Sequence, residues 1–136
     1  MVDAAGDVLL FLGRDPDRPD EGTWWFPPGG GVEADETDEQ AALRELREET
    51  GLLVGDVGPP IATRQATFAF EGQLLDSDEV YFLIRVDRFE LDDSGWTDVE
   101  RRAIVGYRWW SQLDIATTDD VVYPEGLLSM LEGWSG

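Results

Sequence analysis

Residues 37–51 constrain the fold more than any other stretch, because local chemistry marks both ends of a helix there. Thr37 stands three residues ahead of Gln40, the spacing of a reciprocal N-terminal cap, and Gly51 offers a left-handed stop. Between them Ala42, Leu43 and Leu46 form an apolar stripe, so the pattern predicts a helix over 37–50 that packs by one face. The same segment carries Glu45, Glu48 and Glu49, whose i, i+3 and i, i+4 separations place all three on one face. Like charges so placed cost a bare helix roughly 0.2–0.5 kcal/mol per pair. In a chain with 30 acidic residues a solvated, salt-bridged face explains the cluster, and Arg44 with Glu48 fits that account. A hard divalent cation is the other explanation, since it reverses the sign of the repulsion.

The remaining pattern alternates strand-like and helix-like stretches. Val8–Leu12 is a continuous apolar run between Gly6 and Gly13 and reads as a strand buried on both faces. Residues 14–22 carry Pro16 and Pro19 and read as a surface loop. Trp24-Trp25-Phe26 leads into Pro27-Pro28-Gly29-Gly30-Gly31, where the backbone turns and few side chains obstruct a ligand. Residues 61–70 and 80–86 are expected to form a hairpin around Glu71-Gly72 and the polar segment Asp76–Glu79. Residues 104–110 read as a further strand ending in Trp109-Trp110, with 55–60 and 92–95 as loops and 124–131 as a short amphipathic helix. Strands interleaved with helices predict an α/β chain with a mixed sheet, forming a single domain over residues 1–136.

Composition removes whole classes of chemistry. The chain has no Cys, which excludes disulfides, thiolate nucleophiles and Cys-ligated zinc. It has no His, the usual general base and a common transition-metal ligand. Carboxylates, Arg, hydroxyls and backbone groups remain, and oxygen ligands of this kind suit Mg²⁺, Mn²⁺ or Ca²⁺. No D-x-[DN]-x-[DN]-G loop is present, which sets aside a Ca²⁺ buffer. A formal net charge of −20 argues against a nucleic-acid polymer as partner. No apolar run approaches the roughly 20 residues of a membrane span, and the first residues lack a signal-peptide pattern, so the expected location is the cytoplasm. All ten basic residues are Arg, as in a GC-rich coding sequence or, less simply, a salt-adapted surface.

The full spacing decides between the two accounts of the glutamates. Gly30, five residues, Glu36, seven residues, then Arg44-Glu45-Leu46-x-Glu48-Glu49-x-Gly51-Leu52 matches every defined position of G-x5-E-x7-R-E-U-x-E-E-x-G-U, U being bulky and aliphatic. The segment resembles the Nudix box of the Nudix hydrolase family, and the lead-in Trp25-x-x-Pro28-Gly29-Gly30 is also similar. Asp35 stands where many members have Gly, a substitution that turn conformations tolerate.

The resemblance implies an α/β/α sandwich with the box as a loop–helix–loop. It implies a Mg²⁺- or Mn²⁺-dependent hydrolase of a diphosphate linkage in a small nucleotide-like substrate. Carried over by position, Gly29 (through its carbonyl), Glu45, Glu48 and Glu49 are metal ligands, and Glu45 is the candidate base. Arg44 holds the box carboxylates, while Gly30, Glu36 and Gly51 shape the loop and helix end. Members often add an acidic residue from the loop before the last strand, which makes Glu100 the first choice and Glu79 the second. Arg14, Arg18 and Arg64 are candidate phosphate contacts, or plain surface charges. Trp24, Phe68, Phe70 and Tyr81 are aromatic enough to stack on a base but equally fit a core. A homodimer is possible. The alternative is a catalytically silent ligand-sensing or interaction domain of the same fold, against which every box glutamate is present. A prenyl-diphosphate isomerase of the same superfamily would need a Cys.

Overall fold

The apolar run at Val8–Leu12 lies at the centre of the molecule. In the computed structural model, which describes residues 1–3, 5–29, 32–70, 72–124 and 126–132, it forms strand β1 (Val8–Arg14). β1 is the middle strand of a three-stranded antiparallel sheet, between β2 (Thr23–Phe26) and β5 (Ile104–Trp110). Val8, Leu9, Leu10 and Phe11 are all buried. At roughly 1.5–3 kcal/mol for each such side chain, this strand is a principal source of stability.

Alternation divides those four residues between two layers. Val8 and Leu10 share a cluster with Trp110, with Ile115 of α3 (Gln112–Thr117), and with Leu127 and Leu131 of α4 (Leu127–Glu132). Phe11 faces the other way and meets Phe26 and Trp96 in edge-to-face contacts, both at 5.8 Å. On that side lies α1 (Asp38–Thr50), with Ala41 and Leu46 buried and Ala42 and Leu43 half-buried. Helices on both faces of one sheet give the α/β/α arrangement. Trp110 packs edge-to-face on Trp25 at 5.0 Å, as expected for the end of the last strand.

Several expectations need correction. The segment Asp76–Glu79 is strand, because β3 (Pro60–Phe70) pairs with β4 (Gln73–Phe82) in a two-stranded ribbon, regular from Ala62 to Phe70, whose solvated surfaces accept polar residues. The turn sits at Gly72, which has φ +77°, while Glu71 lies outside the described residues. Residues 83–86 leave the ribbon, and Arg85 instead bridges Val2 in parallel. Every ladder between the described strands is antiparallel, so the parallel part of the mixed sheet is confined to the bridges Val2–Arg85 and Trp25–Val122. Glu100 sits not in a loop but in a helix, α2 (Asp98–Ala103), and α4 begins three residues later than the pattern suggested. No helix among the described residues is long and apolar enough to cross a membrane.

Candidate active site

The box helix is built as its termini predict. The Thr37 hydroxyl accepts the Gln40 N–H at 3.1 Å, and the Gln40 side chain accepts the Thr37 N–H at 2.9 Å. Such a cap contributes about 1 kcal/mol. At the other end Gly51 adopts φ +78° and donates its N–H to the Arg47 carbonyl. Asp35, the position where many Nudix sequences have Gly, takes φ +66°. It is the only non-glycine residue with positive φ among those described. The Gly30 and Gly31 positions lie outside the described residues.

Arg44 organises one flank of the helix. Its Nε and Nη2 grip the two oxygens of Glu36 at 2.8 and 2.9 Å, a paired geometry that fixes orientation as well as charge. Nη1 reaches Glu45 at 2.8 Å and Glu48 at 3.2 Å. The bond from Arg44 holds the Glu36 carboxyl far below its usual range, at about 2. The Glu36 and Glu45 carboxylates in turn push the guanidinium above its own ordinary value.

The other flank gathers carboxylates. Glu45, Glu49 and Glu100 each offer an oxygen within 4.8 Å of the others. Glu49 is buried at 2% exposure, and Gly29 donates its N–H to Glu49 Oε2 at 3.3 Å. Burial, with Glu45 and Glu100 alongside, raises the Glu49 carboxyl to about 10. A carboxylate in such a setting is strongly disfavoured unless a cation neutralises it. Mg²⁺ holds oxygens at about 2.0–2.1 Å and Ca²⁺-sized ions at about 2.3–2.6 Å. Three oxygens spread over 4.8 Å can therefore be drawn onto one hard ion by small side-chain movements, and the donor set fits such an ion.

Two of the proposed ligands on the helix, Glu45 and Glu49, thus converge with Glu100, whereas Glu48 is 40% exposed and turned toward Arg44. A separation of four residues overlays two side chains more closely than three, and the guanidinium draws Glu48 to its own side. Glu100 is brought in by a segment that sequence reasoning passed over. Trp96 Nε1 donates to the Glu49 carbonyl at 2.7 Å, and the Asp92 N–H donates to the Thr50 carbonyl at 3.1 Å. Gly95 lies against the backbone of Glu48 so closely that no side chain would fit. Residues 92–96 therefore strap the start of α2 to the end of the box helix. Nothing in the local sequence announces this, because its partners lie more than forty residues away.

A cavity of about 540 Å³ opens beside the cluster, with Glu45 in both. Pro28 and Gly29 line it from the box loop, and Glu79 and Tyr81 line it from β4. Glu79, the second-choice carboxylate, therefore faces the cavity and is not in the three-carboxylate group. Burial and the adjoining Glu79 push the Tyr81 hydroxyl above its usual range. Arg64 is paired with Glu79 at 3.3 Å. Arg14 donates to the Arg102 carbonyl at 3.4 Å, and Arg18 pairs with Glu21 on the surface. Neither Arg14 nor Arg18 lines the cavity. Trp24 is half-buried in β2, while the side chains of Phe68 and Phe70 lie outside the described set.

Comparison with known proteins agrees with this architecture. The model of the NUDIX domain matches residues 1–128. An RNA pyrophosphohydrolase of Alkalilimnicola ehrlichii is 32% identical over 120 residues, covering 72% of this chain and 63% of the relative. An 8-oxo-dGTP diphosphatase of Proteus vulgaris is 37% identical over 67 residues, covering 45% of this chain and 60% of the relative. The chain thus spans less than two thirds of the length of these curated relatives. Among solved structures, the solution structure of the E. coli ORF135 protein superposes with a TM-score of 0.60 at 22% identity, over 96% of this chain and 81% of the other.

Proposed function

The chain belongs to the Nudix family, and from that premise we propose that it is a divalent-metal-dependent hydrolase cleaving a diphosphate linkage in a small nucleotide-like substrate. The observation that carries this reading is the convergence of Glu45, Glu49 and Glu100, from two separate helices, beside a nucleotide-sized cavity that Glu45 also lines. When bound, Mg²⁺ or Mn²⁺ supplies positive charge for the diphosphate oxygens and acidifies water. Glu49 and Glu100 would hold the ion, with the Gly29 carbonyl and Glu48 as candidate further ligands. Glu45 is steadied by Arg44 at 2.8 Å and is the residue placed to orient the attacking water and accept its proton. Direct attack by water needs no covalent intermediate, in keeping with a chain that lacks Cys and His.

Relatives named for both RNA and 8-oxo-dGTP leave the size of the substrate open. A charge of −20 and a cavity without a basic lining residue among those described favour a small substrate, since a polyanionic strand would be repelled beyond the reach of the site. The test is turnover of a nucleotide panel with Mg²⁺ and Mn²⁺, alongside Mn²⁺ affinity measured by electron paramagnetic resonance. Glu45→Gln, Glu49→Gln and Glu100→Gln should each lower turnover by about a hundred-fold or more. Glu49→Gln and Glu100→Gln should also weaken Mn²⁺ binding, with Glu48→Gln milder in both measurements. Near-normal turnover in all of these folded variants, or turnover that persists in chelator, would refute the proposal.

A further inference from the structure

The cavity has walls of two kinds, and their chemistry narrows what it accepts. Phe26, Pro27, Pro28, Phe82 and Tyr123 supply apolar surface. The charged side chains of the lining are of one sign, with Asp38, Glu45, Asp78 and Glu79 and no Lys or Arg among the described lining residues. Phosphates entering it must therefore rely on cations at the Glu45 end. Away from that end, the polar surface accepts hydrogen bonds far better than it donates them.

One acceptor is held in place. Arg64 stands directly opposite Glu79 in the β3–β4 register, with its Nε 3.3 Å from Glu79 Oε1. The Tyr81 hydroxyl, two residues along the same strand face, donates to that same oxygen at 2.9 Å. Both contacts fall on Oε1, and among the described residues none falls on Oε2. Glu79 lines the cavity and is one-third exposed, so a carboxylate engaged through one oxygen keeps the other as a free acceptor.

We propose that Glu79 is a specificity-determining residue, selecting substrates whose base carries an exocyclic amino group over those with a carbonyl at the same ring position. The inference rests on the reading of the chain as a hydrolase of small nucleotides. The flat ring packs against the apolar wall and the amino N–H donates to Glu79 Oε2. A carbonyl in its place sets two acceptors face to face, with no charged donor in the lining to relieve them. Arg64 acts through Glu79 as a positioning residue, which gives a role to an Arg held half-buried against β4.

The experiment compares kcat/KM for CTP against UTP and for ATP against ITP, pairs that differ by amino or oxo at one position. The wild-type chain should favour the amino member of at least one pair by roughly ten- to a hundred-fold, the scale of a hydrogen bond to a charged group. Glu79→Gln, which offers either an acceptor or a donor, should bring that ratio to within about three-fold. Tyr81→Phe should fall between the two, chiefly through KM. Equal rates within both wild-type pairs overturn the proposal, as does a Glu79→Gln protein that keeps the full preference. Calorimetry with CMP and UMP, and with AMP and IMP, separates this idea from the hydrolase reading. A chain that turns over none of the four triphosphates leaves the hydrolase reading to the wider nucleotide panel, and the monophosphate affinities then decide the Glu79 proposal alone, equal values within both pairs overturning it. If Glu79→Gln does not fold, the wild-type pairs and Tyr81→Phe decide.

Discussion

Gly95→Ala tests whether the strap over the box helix positions the site. A Cβ on Gly95 would lie 2.6 Å from the Glu48 carbonyl oxygen, 3.1 Å from Glu48 Cα and 3.2 Å from its carbonyl carbon. All three are backbone atoms of a capped helix and cannot rotate away. Restoring ordinary contact of about 3.5 Å moves the strap outward by about 0.9 Å. The 2.7 Å bond from Trp96 to the Glu49 carbonyl then stretches past useful length, a loss of about 1 kcal/mol. Overpacking adds about 1–3 kcal/mol, for a total of about 2–4 kcal/mol. That leaves a folded protein whose Tm falls on the order of 10 °C. Because α2 follows directly, Glu100 shifts relative to Glu45 and Glu49, and Mn²⁺ affinity should drop by about 10–100-fold, as for other supports of metal ligands. Gly55→Ala is the control, since a Cβ there meets nothing within 4 Å; it should stay within about 0.5 kcal/mol of wild type. Urea unfolding and Mn²⁺ titration read the two effects separately. A Gly95→Ala protein as stable as the control, or one destabilised with unchanged Mn²⁺ affinity, would refute the reasoning.

Two further outcomes follow from the ion pairs. Arg44→Lys replaces a fork that spans Glu36, Glu45 and Glu48 with a single point charge. It should lower stability by about 1–3 kcal/mol in urea and reduce kcat more than it raises KM. Asp3 is a buried carboxylate: burial pushes its pKa up, but the Asp7 and Ala5 N–H groups and Arg88 prevail and hold it below the ordinary value. A depressed folded pKa stabilises at pH above the unfolded value of about 3.9 and loses that contribution as pH falls through the folded value. Asp3→Asn should therefore lower Tm at pH 7 clearly, and less as pH falls below 3.9. An equal Tm difference at pH 7 and pH 2.5 would count against the account.

Legibility in the sequence tracked how local the deciding interactions are. The box helix could be read to the residue, since Thr37, Gln40 and Gly51 act within one turn of its ends. β1 was equally plain because burial on both sides leaves a continuous apolar run, whereas β5, buried only at Ile104 and Trp110, was marked by its β-branched and aromatic residues. The helix carrying Glu100 was missed although Thr97 and Glu100 repeat the capping-box spacing seen at Thr37 and Gln40. Its six residues bury nothing, so no apolar stripe drew attention to the cap. Asp76–Glu79 read as a turn because polar runs usually are, and only the partner strand opposite shows otherwise. The pairing of Arg64 with Glu79 was not legible for the same reason: it depends on strand register, which the neighbourhood of Arg64 does not encode.

The Glu100 helix also explains how the site tolerates its own charge. Glu100 Oε1 is committed to the Thr97 N–H at 2.9 Å, closing the α2 cap, so the carboxylate is anchored by backbone before any ion arrives. Glu45 is anchored by Arg44 and Glu49 by the Gly29 N–H. Each of the three acids thus holds its position through a bond that does not involve the others. The repulsion among them cannot be relieved by swinging a side chain into solvent, because that would forfeit a cap, an ion pair or a burial contact. The unfavourable energy is instead carried as the raised pKa of Glu49, the most buried member. On the proposed function it would be recovered when a cation binds, and affinity for a hard divalent ion would then depend on rigidity as much as on the count of oxygens. On this argument a variant that loosens one anchor while keeping all three acids should weaken Mn²⁺ binding without removing a ligand; Thr97→Ala keeps the N–H that meets Glu100 Oε1 but loses the hydroxyl that accepts the Glu100 N–H at 3.2 Å, and so frays the α2 cap that holds the carboxylate.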